Sequence, residues 1–281
     1  MIEKAVIPIA GQGMRLRPLS GAVPKALLPL PDGRGRIRPV LHWICAEAAA
    51  AGIQHVAVVV SPRHVEMVRR YFDAAGQTGD RDLPKNIEYA ILPEPEGLGA
   101  GVLRAEDFVG RPPRQPFMLL LGDHVHLTAR NSPTCAEQVA RAFAARAAAA
   151  MVGMQDVAAD QLPHVGAAAG RLVADRLYRC TDLLEKPDLA TARRRLVTPG
   201  LPKGQFLAHC GIYVFTCEIF DCLRELHGRR GQGEELQLTD AQAILLARHP
   251  EGCFLYHVDG RTLDTGTPEA YIAAFQALAK G

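Results

Sequence analysis

The stretch "GQGMRLRPLSGAVPK", residues 11–25, follows the apolar run "AVIPIA" and joins small residues to cations, Arg15 and Lys25 among them. Small residues let an oxyanion approach the backbone, so the amides of Gly11 to Arg15 form a candidate nest for phosphate. Arg15 adds a planar fork suited to phosphate oxygens, and Lys25 returns behind Pro24 as a point charge. Two familiar phosphate loops do not fit. A Walker loop needs a glycine before the lysine and a hydroxyl after it. A dinucleotide fingerprint needs glycine where Leu16 stands. A tight turn carrying solvated cations fits the stretch alone equally well.

Carboxylates extend the pattern. Asp123 closes the apolar "FMLLLGD", and Asp264 lies in "TLDTGTPEA" between a strand-like segment and a helix. Magnesium takes one or two carboxylates and fills its shell with water and phosphate oxygens, so the two are candidate ligands if the fold joins them. For a lone carboxylate at a strand end, a helix cap or a surface group is the plain alternative. In "LLEKPD", Glu185 offers an acceptor for sugar hydroxyls and Lys186 a cation for a phosphate, against the simpler reading of an exposed acid–base pair. "DHVH" raises a hydrolytic transition-metal site at Asp123, His124 and His126. Strand alternation puts the two histidines on one face and Asp123 on the other, which suits a shared site poorly.

The elements around these residues imply an α/β fold. "AVIPIA", "HVAVVV", "NIEYAIL", "FMLLLGD" and "AMVGM" read as buried strands. Helical stretches alternate with them: "RPVLHWICAEAAAAGI", "RHVEMVRRYFDAAG", "GAGVLRAEDFV" and "CAEQVARAFAARAAAA". The expectation is a doubly wound, Rossmann-like mixed sheet in which ligands sit at the carboxyl ends of strands. The second half is more mixed. "VGAAAGRLVADRLYRC" reads as a smaller antiparallel excursion with Gly170 in its turn, and "LAHCGIYVF" and "CFLYHV" as strands. "TCEIFDCLREL" reads as a helix, "LTDAQAILLAR" as a helix capped by Thr239, and "TPEAYIAAFQALA" as one capped by Thr267 with Pro268 at its first position. "RRRLVTPGLPKGQ" and "GRRGQGEELQ" read as surface loops. One domain over 1–281 is expected, with halves at about 1–155 and 156–281.

Composition bounds the partners. Of 281 residues, 48% are hydrophobic and 22% charged, enough for a sizeable core and against disorder. A net charge of +2 argues against a nucleic-acid binder held by bulk charge. No apolar stretch reaches the length of a membrane span, and the N-terminus lacks a basic leader, so no membrane partner and a cytoplasmic location are expected. The seven cysteines include no C-x-x-C, which favours free thiols over a zinc site.

Taken together, the motifs resemble a family. "GQGMRLRPLSGAVPK" is similar to the G-x-G-T-R-x-x-P…P-K signature of sugar-1-phosphate nucleotidyltransferases. "EGLGAGVL", "LLLGDHV", "LLEKP", "GIYVF", "GEELQLTDAQ" and "LDTGTPEAY" come after it in that family's order over the whole chain. "GEELQLTDA" looks like the G-E-I-Q-L-T-D-A of bacterial UTP–glucose-1-phosphate uridylyltransferases. The resemblance implies the fold of nucleotide-diphospho-sugar transferases and the partners, a nucleoside triphosphate and a sugar 1-phosphate in a homo-oligomer. Ala10, Gly11, Gly13, Met14, Arg15, Lys25, Leu92, Gly97 and Asp123 would bind nucleotide. Gly166, Glu185, Lys186 and Gly211 would bind the sugar phosphate. Asp123 and Asp264 would hold Mg2+, and Arg15, Lys25, Asp123 and Lys186 would carry the chemistry.

Three departures qualify the resemblance. Met14 stands where the family has threonine, and Leu92 where its pyrimidine enzymes place a base-reading glutamine. "PDGRGRI" lengthens a loop after Leu30. The departures open a purine triphosphate, a modified sugar or cyclitol phosphate, or a regulatory paralogue that binds nucleotide sugar, as alternatives to UTP and glucose 1-phosphate.

Overall fold

The computed structural model describes residues 2–32, 35–80, 82–112, 115–231 and 233–280. Alternation in the first strand sets the layering. In β1 (Lys4–Pro8), Ala5 and Ile7 face one core while Val6 faces another. The chain then runs through the glycine-rich loop, with a 3-10 turn at Met14–Leu16, the short α1 (Leu19–Ala22) and a second 3-10 turn at Lys25–Leu27. A hairpin of β2 (Pro29–Pro31) and β3 (Ile37–Pro39) carries "PDGRGRI", of which residues 33 and 34 lie outside the described residues. Buried Arg38 anchors the hairpin through Asp80 at 2.6 Å and Asp82 at 3.1 Å.

α2 (Val40–Ala50), β4 (His55–Val60), α3 (Val65–Gln77) and β5 (Asn86–Ile91) come next. "GAGVLRAEDFV" is two helices, α4 (Leu98–Leu103) and α5 (Glu106–Gly110), broken at Arg104 and Ala105. β6 (Phe117–Leu120) and β7 (His124–Leu127) flank Asp123. α6 (Cys135–Ala144) opens on a capping box of Thr134 and Glu137. Glu47 of α2 accepts from Ala136 N at 2.7 Å, and burial pushes that carboxyl up to about 7.

β8 (Ala150–Ala158) and a 3-10 segment at Ala159–His164 lead into the hairpin of β9 (Gly166–Ala174) and β10 (Leu177–Glu185). Gly170 does not turn this hairpin. It sits within β9, where a Cβ would lie 2.7 Å from Tyr178 Cβ, and the turn falls at Asp175 and Arg176. The arginines of "RRRLVTPGLPKGQ" belong to α7 (Leu189–Arg195), capped by Asp188, which accepts from Thr191 N at 2.8 Å. β11 (Gln205–Phe215), α8 (Glu218–Arg229), α9 (Leu238–Arg248), β12 (Cys253–His257), β13 (Arg261–Asp264) and α10 (Pro268–Ala279) complete the chain. Thr267 caps α10 as expected, accepting from Ala270 N at 3.2 Å.

The main sheet has nine strands in the order β5-β4-β1-β6-β11-β8-β12-β10-β9. β5, β4, β1 and β6 are parallel, the doubly wound half. β11 runs antiparallel to both β6 and β8, and β10 and β9 close the far edge antiparallel. β9 also pairs with β11, so the antiparallel excursion is tied back into the main sheet. One core holds residues of α2, α3, α6 and α10, and the other residues of α4, α5, α8 and α9, so helices cover both faces. All seven cysteines are free. No helix among the described residues is long and apolar enough to cross a membrane.

Candidate active site

A cavity of about 540 Å³ lies at the carboxyl ends of β1 and β6. It brings together Ala10, Gly11, Met14, Lys25, Leu92, Gly97 and Asp123, seven of the nine candidate nucleotide ligands. Gly13 lies in the same loop but not in the cavity wall. Its carbonyl accepts from Ser20 Oγ at 2.7 Å, which fixes the loop's bend. Arg15 is exposed beside Met14, outside the wall, and makes no ion pair among the described residues.

Lys25 Nζ donates to Asp123 Oδ2 in a short ion pair. His124 donates from Nδ1 to the other carboxylate oxygen at 2.9 Å. Burial by itself would raise the Asp123 pKa, but the charge of Lys25 and the bond from His124 outweigh it and hold the carboxyl well below its usual range. Burial likewise lowers His124, and Asp123 reverses that, leaving the imidazole raised. Register supplies the third group. β7 and β13 form a two-stranded antiparallel sheet in which Asp264 lies opposite His124. Thr265 pins the junction, donating from both N and Oγ1 to the Asp123 carbonyl at 2.9 Å.

Asp123, His124 and Asp264 thus offer ligand atoms within 4.8 Å of one another. Two carboxylates in one cluster fit a hard divalent cation, which needs oxygen donors and takes the rest of its shell from water and phosphate. His126 is not part of the cluster. It is buried, bonds the Cys210 carbonyl from Nε2 at 2.8 Å, and burial lowers its pKa to about 4. The histidine-paired hydrolase reading loses that ligand.

One end of the cavity is a clamp between distant segments. Leu236 N donates to the Glu96 carbonyl at 2.7 Å, and Gly99 N to the Leu236 carbonyl at 2.8 Å. Gly97 has φ +98°, and a Cβ there would lie 2.7 Å from the Leu236 carbonyl oxygen. Only glycine gives both that conformation and that approach. The clamp puts Glu235 into the cavity wall with Leu92 and Leu98. Glu235 escaped the sequence reading because only the pairing of 235–236 with 96–99 brings it there.

The four sugar-phosphate candidates lie outside this cavity wall, along β9, β10 and β11. Glu185 pairs with Gly166 across β10 and β9. A Cβ on Gly166 would meet His209 Nδ1 at 2.8 Å and Glu185 Oε2 at 3.2 Å, so the three share one spot. Lys186, exposed and with φ +44°, places Nζ 3.7 Å from Glu185 Oε1. Gly211, φ +90°, lies under the His124 ring, where a Cβ would come within 3.0 Å. That contact joins β11 to the carboxylate cluster.

Thr239 does not cap α9. The N-cap is Gln237 without a side-chain bond, and Thr239 Oγ1 donates to Glu185 Oε2 at 2.7 Å. The motif "LTDA" therefore positions the candidate sugar-binding carboxylate. His209 was also missed. It is buried, Nε2 has no hydrogen-bond partner among the described residues, and burial lowers its pKa to about 4.

With this geometry in view, the comparisons are decisive for the family. The family model described as "Nucleotidyl transferase" matches residues 4–281. The chain belongs to the nucleotidyl transferase family. Curated relatives include UTP–glucose-1-phosphate uridylyltransferase 2 of Staphylococcus saprophyticus, 29% identical over 96% of this chain and 90% of that protein. The corresponding protein of Staphylococcus haemolyticus is 28% identical over the same shares. Among solved structures, a UDP-glucose pyrophosphorylase complexed with UDP-glucose superposes with TM-score 0.83 at 26% identity, covering 100% of this chain and 99% of that one. A UTP-bound enzyme from Acinetobacter baumannii, at 23% identity and TM-score 0.76 over 99% and 93%, shares the fold.

Proposed function

We propose that this chain transfers a nucleotidyl group from a nucleoside triphosphate to a sugar 1-phosphate, giving a nucleoside diphosphate sugar and pyrophosphate. The Lys25–Asp123 pair, set in a cavity beside Asp264 and His124, carries the reading. UTP and glucose 1-phosphate are the substrates assigned, on the names of the staphylococcal relatives and the UDP-glucose-bound neighbour. Residues 1–281 act as one domain, with 1–155 holding the nucleotide and 156–281 the sugar.

The sugar-phosphate oxygen is already anionic at neutral pH, so the reaction needs no strong general base. It needs mutually repelling anions brought together and aligned. The amides of Gly11 and its neighbours line the triphosphate, with Arg15 above the loop and Lys25 at the reacting phosphate. Lys25 and His124 keep Asp123 ionised, so the carboxylate is ready for a cation. Asp123 and Asp264 would hold Mg2+, which would supply charge neutralisation at the triphosphate. Glu185, braced by Thr239, accepts from sugar hydroxyls, and Lys186 holds the sugar phosphate over Gly166 and Gly211.

Leu92 favours a second reading of the base. It presents apolar surface in the wall that also contains Glu235, with no amide at that position to pair a pyrimidine edge. A purine triphosphate is the alternative. The deciding experiment is a matrix of four triphosphates against several sugar 1-phosphates, scored by pyrophosphate release. UTP with glucose 1-phosphate is expected to lead. ATP or GTP ahead of UTP would install the second reading, and nucleotide-sugar binding without any release would mark a regulatory paralogue.

A further inference from the structure

The wall of the 540 Å³ cavity carries three charged side chains among the described residues, Lys25, Asp123 and Glu235. Lys25 and Asp123 pair with each other. Glu235 stands apart from both: it makes no ion pair among the described residues and is not part of the cluster of Asp123, His124 and Asp264.

The surroundings hold this carboxylate in place. Its neighbour Leu236 is fixed on both sides by main-chain bonds, donating to the Glu96 carbonyl at 2.7 Å and accepting from Gly99 N at 2.8 Å. A Cβ on Gly97 would lie 3.0 Å from Glu235 Cβ, so the stem of the glutamate packs where Gly97 has no side chain. Gln237 donates from Nε2 to Glu235 Oε2 at 2.9 Å. Oε1 has no hydrogen-bond partner among the described residues. The group is therefore oriented by one oxygen and open at the other, and a carboxylate oxygen only accepts.

A nucleoside triphosphate offers few donors to such an acceptor. Its phosphates are anions and are repelled. Uracil presents its N3–H between two carbonyl oxygens, which a carboxylate also repels. Leu92 and Leu98 give the same wall apolar surface for the plane of a base. The next group along a nucleotide seated there is its ribose, whose neighbouring hydroxyls are neutral donors. An acidic side chain on a ribose hydroxyl is a solution that dinucleotide-binding folds also use.

We propose that Glu235 reads the ribose of the triphosphate, accepting through Oε1 from its 2′,3′-diol, and so selects ribonucleotides over deoxyribonucleotides. The inference rests on the nucleotidyl-transfer reading and adds a specificity-determining residue to it. Glu235 has no part in the bond that forms or the bond that breaks.

The test compares wild type, Glu235→Ala and Glu235→Gln. Calorimetry in magnesium buffer measures binding of UTP, 2′-deoxy-UTP, 3′-deoxy-UTP and GTP, and pyrophosphate release is followed with a panel of sugar 1-phosphates. Wild type should bind UTP about tenfold more tightly than at least one deoxy analogue, the size of one hydrogen bond to a charged group. Glu235→Ala should weaken UTP about tenfold and leave that analogue within about twofold, so that the preference collapses. Glu235→Gln keeps an acceptor oxygen without the charge and should retain part of it. Wild type without any preference overturns the proposal, as does a preference that survives in Glu235→Ala. Equal losses for UTP and both deoxy analogues would mark support of the clamp, and a larger loss for GTP than for UTP would mark reading of the base; either overturns it. Ribose-dependent binding that Glu235→Ala abolishes, without pyrophosphate release by wild type, keeps the contact and removes the nucleotidyl-transfer reading. Absence of triphosphate binding and of release removes both. Glu235 is exposed and the clamp bonds come from the main chain of Leu236, so the variants should melt with wild type.

Discussion

The two ends of the site are built differently. At the proposed nucleotide end, parallel strands stop and loops take over, so backbone, glycines and one ion pair face the cavity. At the proposed sugar end, side chains project from antiparallel strands: Thr239 braces Glu185, and His209 lies close against Gly166. The first design suits a phosphate chain, which any array of donors satisfies. The second suits a sugar, whose hydroxyls must be met at fixed points. Loss of a charge should therefore be severe at the first end, and loss of a brace should be graded at the second.

Lys25→Ala is the sharpest test of that contrast. It should keep the fold and lower kcat by about a thousandfold, as for other groups placed where charge develops. Pyrophosphate release beside a melting curve measures both, and a rate near wild type would break the account of the nucleotide end. Thr239→Val should do something milder and more local. The KM for sugar 1-phosphate should rise about tenfold, reflecting one lost hydrogen bond to a charged group, with the KM for triphosphate unchanged. Equal rises in both would show that the ends are not separable in this way.

Leu92→Gln sharpens the nucleotide end. An amide at that wall should lower the KM for UTP several-fold relative to purine triphosphates, in competition assays. The smallest effect expected concerns stability. Glu47 titrates near 7 in the folded chain against 4.5 as a free side chain. The folded state then holds the extra proton between those values, so this group's contribution falls as pH rises through that window. Glu47→Gln should flatten the change, gaining on the order of 2 kcal/mol over wild type at pH 8 and little at pH 5, read from unfolding midpoints. Parallel curves for the two proteins would contradict it.

Much of the nucleotide end was legible because its signals are local. Buried parallel strands read as apolar runs, and the residues just past their carboxyl ends line the cavity. Gly11, Lys25 and Asp123 could therefore be named from the chain alone, with the family resemblance adding Ala10 and Met14. The sugar end depends on pairings across long separations. Gly170 looks like a turn residue, yet it is small because Tyr178 crowds it from the next strand. Thr239 looks like a helix cap, yet its hydroxyl reaches Glu185, 54 residues away in sequence. A hydroxyl before an acidic residue has the same local pattern in either role. The cap of α7 was readable in principle, from Asp188 three residues before Thr191.

One short stretch couples the two ends. Leu236 closes on Glu96 and Gly99 at the cavity, and Thr239 steadies Glu185. On the proposed function, choice of nucleoside and choice of sugar therefore fall to the same few residues of backbone. A lineage that drifts toward a new base by reshaping 234–236 will carry its sugar preference along, and engineered changes of donor should be sought together with changes of acceptor.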